Sequence, residues 1–320
     1  MKALKKVSIF LLVIVIITNL SACKLLQTDK ETINKTNEQE AEKGDEILED
    51  QEEEVLSLNP VDYPRVDGST ATIPLSLATY IAITGASIEE AEAAIVHTRT
   101  ANSYLRLMNN EVDLLIVYSA PESIEEEMKA SGVNLNIKPI GKDALVFIAN
   151  ESNTVSNLTT DQIIDIYTGK ITNWVEVGGE DLPIVAFQRP DDSGSQTLMK
   201  SLVMKEIEMV DAPTYQRPAE MGMLIDSIAQ YNNEANALGY SVYYYAKNMY
   251  SQPGLKFLEV DGIEPTNLTI QSGEYPHVKD FYAVIRDDED INSPAYKVFE
   301  WLTSKQGQKL VSDSGYVSVK

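Results

Sequence analysis

Residues 94–118 read AIVHTRTANSYLRLMNNEVDLLIVY, and the fold class turns on how that run divides. Residues 94–97 and 112–118 are short apolar runs of the kind that form buried strands, while residues 102–109 carry Tyr104, Leu105 and Leu107 at helical spacing. Strand, helix and strand in that order predict a β-α-β unit. Outward from it the alternation repeats. Residues 144–149 and 184–187 read as further strands, residues 74–84, 160–167 and 195–205 as helices, and residues 281–285 as a late strand. The pattern predicts an α/β sandwich with largely parallel sheets. The middle, from about 141 to 244, has its own strands and helices before strand signals resume, so two lobes with a cleft between them are expected.

The chain has 320 residues, 43% of them hydrophobic, which is enough for two packed domains. Its formal charge of -23 and the lack of a basic stripe argue against a nucleic-acid partner. That charge does not decide against an anionic ligand, because local donors and helix dipoles set the potential inside a cleft. Enzyme classes lack their usual parts. The sequence has two histidines and one cysteine, no Gly-x-Ser-x-Gly elbow, no Gly-x-x-x-x-Gly-Lys-Ser/Thr loop and no Cys/His cluster. A protein that is not an enzyme, with no metal and no cofactor, is the expectation.

The N-terminus carries its own signal. Lys2, Lys5 and Lys6 precede an apolar run over residues 7–20, and Leu20-Ser21-Ala22-Cys23 follows, with small residues before the cysteine. The apolar run is shorter than the roughly 20 residues a spanning helix needs. The arrangement resembles a bacterial lipobox, which implies a signal peptide over 1–22, cleavage before Cys23 and acylation of its thiol, with palmitate as one such acyl group. The mature chain would then be lipid-anchored on the extracytoplasmic face of the bacterial cell membrane. Residues 24–58 hold twelve acidic and four basic side chains and no apolar face at a fixed period. Such a segment cannot bury enough apolar area to offset its ordering entropy, so residues 23–58 read as a lipidated, acidic, flexible linker.

Three stretches put hydroxyl residues and glycine where a strand hands over to a helix. They are Asp67-Gly68-Ser69-Thr70-Ala71-Thr72-Ile73-Pro74, then Thr98-Arg99-Thr100-Ala101-Asn102, then Gln188-Arg189-Pro190-Asp191-Asp192-Ser193-Gly194-Ser195-Gln196-Thr197. A helix start leaves N–H groups unpaired and carries partial positive charge, which makes it a seat for an anion. Hydroxyls add donors without charge, Arg189 adds a planar fork for two oxyanion oxygens, and Gly194 permits close backbone approach. The alternatives are that the hydroxyls are ordinary N-caps and that Arg189 pairs with Asp191 or Asp192 at the surface.

These runs, together with EVDLLIVY (111–118), IGKDALVF (140–147), IYTGKITNW (166–174) and LGYS (238–241), resemble the phosphate-binding proteins of the phosphate-specific ABC importer. The resemblance covers roughly residue 64 to the C-terminus. It implies a two-lobed, type II periplasmic-binding-protein-like fold with a central ligand cleft, lobe one spanning 59–140 plus 246–320 and lobe two 141–245. It also implies inorganic phosphate as ligand, ABC permease subunits as partners and a monomer. The phosphate-binding positions so implied are Ser69, Thr70, Thr72 and the backbone of Ile73, then Thr100, then Arg189, Ser193, Gly194 and Ser195, with Asp191 holding the arginine. One position departs: where well-known members have an aspartate that accepts the phosphate proton, this chain has Tyr118 followed by Ser119. Glu122 is a candidate to supply the lost charge if its loop folds over the cleft; otherwise it starts the next helix on a solvated face. Other readings are a binding protein for another tetrahedral oxyanion and a phosphate sensor uncoupled from transport. On the lipobox reading, Cys23→Ser blocks acylation, so the variant is released or keeps its signal peptide; unchanged partitioning into detergent would overturn it.

Overall fold

The longest strand, Leu135–Asn150, sets the architecture, and its burial changes halfway along: from Asp143 onward every residue is buried. Residues 144–149 are apolar on both faces, as a central strand must be when it is covered on both sides. In the computed structural model, which describes residues 56–230 and 235–319, the strands in chain order are β1 (Val66–Gly68), β2 (Leu114–Val117), β3 (Leu135–Asn150), β4 (Asn157–Leu158), β5 (Val185–Ala186), β6 (Ala237–Val242), β7 (Leu255–Phe257), β8 (Glu259–Val260) and β9 (Val278–Arg286). One sheet has the order β1-β2-β9-β3-β6-β5, with β7 also on β3, and β4 and β8 form a separate pair. Cys23 and the expected signal peptide lie outside the described residues, as does the linker but for its last three.

Strand β3 belongs to two halves of this sheet. Its residues 135–144 pair with β9, and residues 145–150 pair with β6 and β7. The change of partner falls between Ala144, opposite Val278, and Leu145, opposite Val242. The chain returns at the same level, where Leu145 N donates to the His277 carbonyl at 2.9 Å. Strand β7 therefore pairs with the second half, and β8 with β4 in the separate pair, whereas the expected division at 246 placed both with lobe one.

The sheets are mixed, a correction to the largely parallel expectation. Pairs β1·β2, β4·β8 and β5·β6 are parallel, and every pair made by β3 or β9 is antiparallel. Helices form where the local signals are strong. Ile73–Thr84 has proline in its first turn and ends on Gly85 at φ 69°, and Thr160–Tyr167 opens with a reciprocal Thr159/Gln162 capping box. The helix expected over 195–205 forms as Gly194–Leu198 and continues as a wider π turn over Met199–Met204.

Residues 94–97 are not a strand, and the parallel partner of β2 is β1. The helix Ile88–Ala94 ends there, and the chain runs irregularly into the helix Thr100–Met108. Its polar groups are spent elsewhere than on a ladder: Thr98 donates through N and Oγ1 to the two oxygens of Asp67, at 2.7 and 2.6 Å. Asp67 is fully buried and also accepts from Gly68 N at 2.7 Å and from Arg106 Nη1 at 2.5 Å. One carboxylate thus fixes the end of β1, the following loop and the helix Thr100–Met108 against one another. Removing a buried charge from such a set leaves unpaired donors and an uncompensated Arg106. Asp67→Asn should lower the unfolding free energy by about 1–3 kcal/mol, measured by urea titration, and a cycle with Arg106→Gln should show strong coupling between the two.

Candidate functional site

The three hydroxyl-rich loops, far apart in sequence, meet. Ser69 Oγ lies 2.8 Å from Thr100 Oγ1 and accepts from Tyr118 N at 3.2 Å, so the first loop, the second loop and the end of β2 share one polar centre. The third loop closes on the same place. A Cβ added to Gly194 would stand 2.8 Å from Thr100 Oγ1 and 3.7 Å from Tyr118 Cδ2. Any side chain there would collide with the threonine, so glycine is what lets the start of the helix Gly194–Leu198 reach the other two loops. Ser69, Thr100, Ser193 and Ser195 are all buried. Ser193 caps that helix by accepting from Gln196 N at 3.3 Å, which leaves its own hydroxyl proton for another acceptor.

Arg189 is the dominant charge. It is 4% exposed, and its backbone is held by its own N–H, which donates to Gln196 Oε1 and Tyr240 Oη, both at 3.2 Å. Its Nη2 donates to the Ala219 carbonyl at 3.1 Å, while Nε and Nη1 are buried without a partner. Ser195 Oγ, on the helix that follows, is likewise buried without a partner. Burial pushes the guanidinium pKa down from its ordinary value, partly opposed by the Tyr240 and Tyr245 phenols, yet a guanidinium stays charged at neutral pH. A buried charge with unmet donors is costly unless something pairs with it. The acids of its own loop do not. Asp191 pairs with Lys200 at 2.6 Å with its side chain 81% exposed, and Asp192 stands 4.0 Å from Arg99. Asp191 therefore does not hold Arg189, which corrects the role expected for it and also excludes the surface ion pair; Tyr240 and Gln196 do the holding.

Other expected residues fall differently. Thr72 is fully buried, but its hydroxyl points at the carbonyls of Ser69 and Ile116, at 2.9 and 2.5 Å, so it braces the first loop. The Ile73 N–H closes a turn on the Thr70 carbonyl, which takes it from the donors expected for a ligand. Thr70 is half-buried at the start of that turn, and Ser119 is half-buried just past β2. Glu122 is exposed in the first turn of the helix Glu122–Ser131, alongside Glu125, so it serves the helix start and does not fold over the junction.

A residue absent from the expectations sits behind the junction. Asp143 is 2% exposed in β3 and accepts from the Tyr118 phenol at 2.6 Å, from Ala144 N at 2.7 Å and from Tyr244 N at 3.2 Å. Burial pushes its pKa up to about 6 against these hydrogen bonds, all of which the carboxylate accepts. One signal was legible beforehand: a lone acid entering an apolar run is rarely buried without a partner. Among the described residues no group of His, Cys, Asp and Glu side chains could hold a metal ion.

The chain belongs to the PBP superfamily: the family model described as a PBP superfamily domain matches residues 55–306. It is similar to the phosphate-binding protein PstS of Borreliella burgdorferi, 28% identical over 182 residues that make up 56% of this chain and 64% of that one. It is also similar to the PstS of Bacillus subtilis, 26% identical over 188 residues, 58% of each chain. The chain spans about three fifths of the length of these curated relatives. Among solved structures it resembles a Clostridium perfringens protein described as a phosphate ABC transporter substrate-binding protein with bound phosphate. The TM-score is 0.63 at 25% identity, covering 80% of this chain and 98% of that one. A phosphate transport receptor of Vibrio cholerae shares the fold, with a TM-score of 0.58 at 23% identity, covering 79% and 98%. The fold is the two-lobed α/β fold of these neighbours.

The unpaired guanidinium generates a stability prediction. Replacing Arg189 by Met keeps bulk and removes a buried charge with two unmet donors. The variant should be more stable than the parent by about 1–3 kcal/mol in urea unfolding with no anion added. A variant less stable than the parent would show that the folded protein satisfies the arginine unaided.

Proposed function

We propose that this member of the PBP superfamily captures inorganic phosphate outside the cytoplasm and delivers it to an ABC importer, held to the membrane by a lipid on Cys23. The observation that carries the reading is the buried Arg189 guanidinium with Nε and Nη1 unpaired, on the loop whose Gly194 meets Thr100 and the ring of Tyr118. A tetrahedral oxyanion supplies what that arrangement lacks: oxygens for a planar fork, acceptors for the Ser195, Thr100 and Ser193 hydroxyls, and negative charge at a helix start. Names and bound phosphate among the relatives support phosphate as the anion. Those relatives are binding proteins, and the role proposed is capture without chemistry.

Lobe one on this reading is the sheet half of β1, β2, β9 and the first part of β3; lobe two is the half built on the rest of β3, with β5, β6 and β7. Both crossings lie at the level of Asp143–Leu145 and His277–Val278, where two adjacent strands can flex together as a hinge around a ligand. Calorimetric titration of the full-length protein in detergent with phosphate, sulfate and molybdate tests the reading. Phosphate should bind, and Arg189→Ala should weaken it by at least about tenfold, since a charge-assisted hydrogen bond contributes about 1.5–3 kcal/mol. Arg99→Ala should matter less, because that side chain is half exposed. An Arg189 variant that binds as tightly as the parent overturns the assignment.

A further inference from the structure

We infer that Tyr118 and Asp143 act together as the group that reads the proton on the anion: Asp143 takes the phenol's only hydrogen, so Tyr118 can offer the anion a lone pair and no donor. The inference rests on the phosphate reading above and names what sets its selectivity. Near neutral pH phosphate carries at least one proton and can donate, whereas sulfate only accepts. A site discriminates between them by presenting an acceptor that cannot turn into a donor. A free tyrosine hydroxyl fails that requirement, since it rotates to suit either anion.

In this chain it is not free. The Tyr118 hydroxyl donates to Asp143 Oδ2 at 2.6 Å, and the other carboxylate oxygen is fixed by Ala144 N and Tyr244 N, at 2.7 and 3.2 Å. The carboxylate is buried and acceptor-only when ionised, so the phenolic proton has one place to go. Tyr118 itself belongs to the junction. Its backbone N–H donates to Ser69 Oγ, and its ring edge stands 3.7 Å from the point a Cβ on Gly194 would occupy. Its ring is buried, with Phe281 at 6.0 Å between ring centroids and Tyr316 packed in turn on Phe281. Neighbouring acids do not compete for the role. Asp67 is saturated by Arg106, Thr98 and Gly68, and Glu122 is exposed on its helix.

The test is competitive calorimetry on the full-length protein in detergent at pH 7.5, with phosphate, with arsenate as a second protonated anion, and with sulfate. The parent should prefer phosphate and arsenate over sulfate by at least about tenfold. Tyr118→Phe removes the acceptor and should narrow that ratio about tenfold, mainly by weakening phosphate and arsenate. Asp143→Asn frees the phenolic proton and should narrow it from the other side, by tightening sulfate. Glu122→Gln should leave it unchanged. A brace with no part in selectivity would weaken all three anions in parallel and lower the melting temperature at constant ratio, and that result overturns the inference. If Asp143→Asn does not fold, the ratio in Tyr118→Phe decides alone. A parent that binds phosphate and sulfate equally overturns this inference but leaves anion capture standing; a parent that binds neither overturns both.

Discussion

A single buried carboxylate holds the architecture of the first two loops. Asp67 has no exposure to solvent and must have its charge answered locally. Gly68, Thr98 and Arg106 answer it through four donors drawn from the end of β1, the irregular run after Ala94 and the helix Thr100–Met108. Because both oxygens are occupied in fixed directions, the loop carrying Ser69 and the helix start carrying Thr100 can take few other relative positions. Their hydroxyls then meet at 2.8 Å as a consequence. The requirement to satisfy one charge thus becomes the positional accuracy of a pair of neutral donors.

The third loop follows the opposite logic. Its arginine is also buried, but the fold supplies only backbone anchoring through Tyr240 and Gln196, and one carbonyl for Nη2. Two guanidinium nitrogens and the Ser195 hydroxyl stay unmatched. A protein selected for stability alone would fill such a place with apolar bulk. Strain of this kind is tolerated where a ligand relieves it, and the free energy so released can favour a closed arrangement of the two halves. Asp143 lies at the level where β3 exchanges β9 for β6, so the proposed anion site and the proposed hinge are adjacent in space.

Local sequence was enough for several elements. Thr160–Tyr167 formed over the expected residues because its capping box, apolar face and end all lie within about ten residues. The alternation of apolar runs and hydroxyl-glycine turns announced an α/β fold, and the three turns that hold Ser69, Thr100 and Gly194 could be singled out by residue type. The resemblance to phosphate-binding proteins rested on those same runs. Where a signal was short and apolar it misled. Residues 94–97 have strand composition, yet their neighbour's amide is captured by Asp67, a side chain no local window includes.

What the sequence determined by itself, then, is which residues offer charge, hydroxyl and glycine, and roughly which elements carry them, because helix caps and hydrophobic periodicity act over a few residues. Tertiary structure alone decided how those groups are used. Thr72 turned inward to backbone carbonyls, Asp191 turned outward to Lys200, and Glu122 stayed with its helix. Tyr118 found a carboxylate twenty-five positions away, and Gly194 found a threonine ninety-four positions back. The reason is that the direction of a hydrogen bond and the cost of a buried charge depend on what stands within about 3 Å. Those neighbours come together only when distant parts of the chain pack.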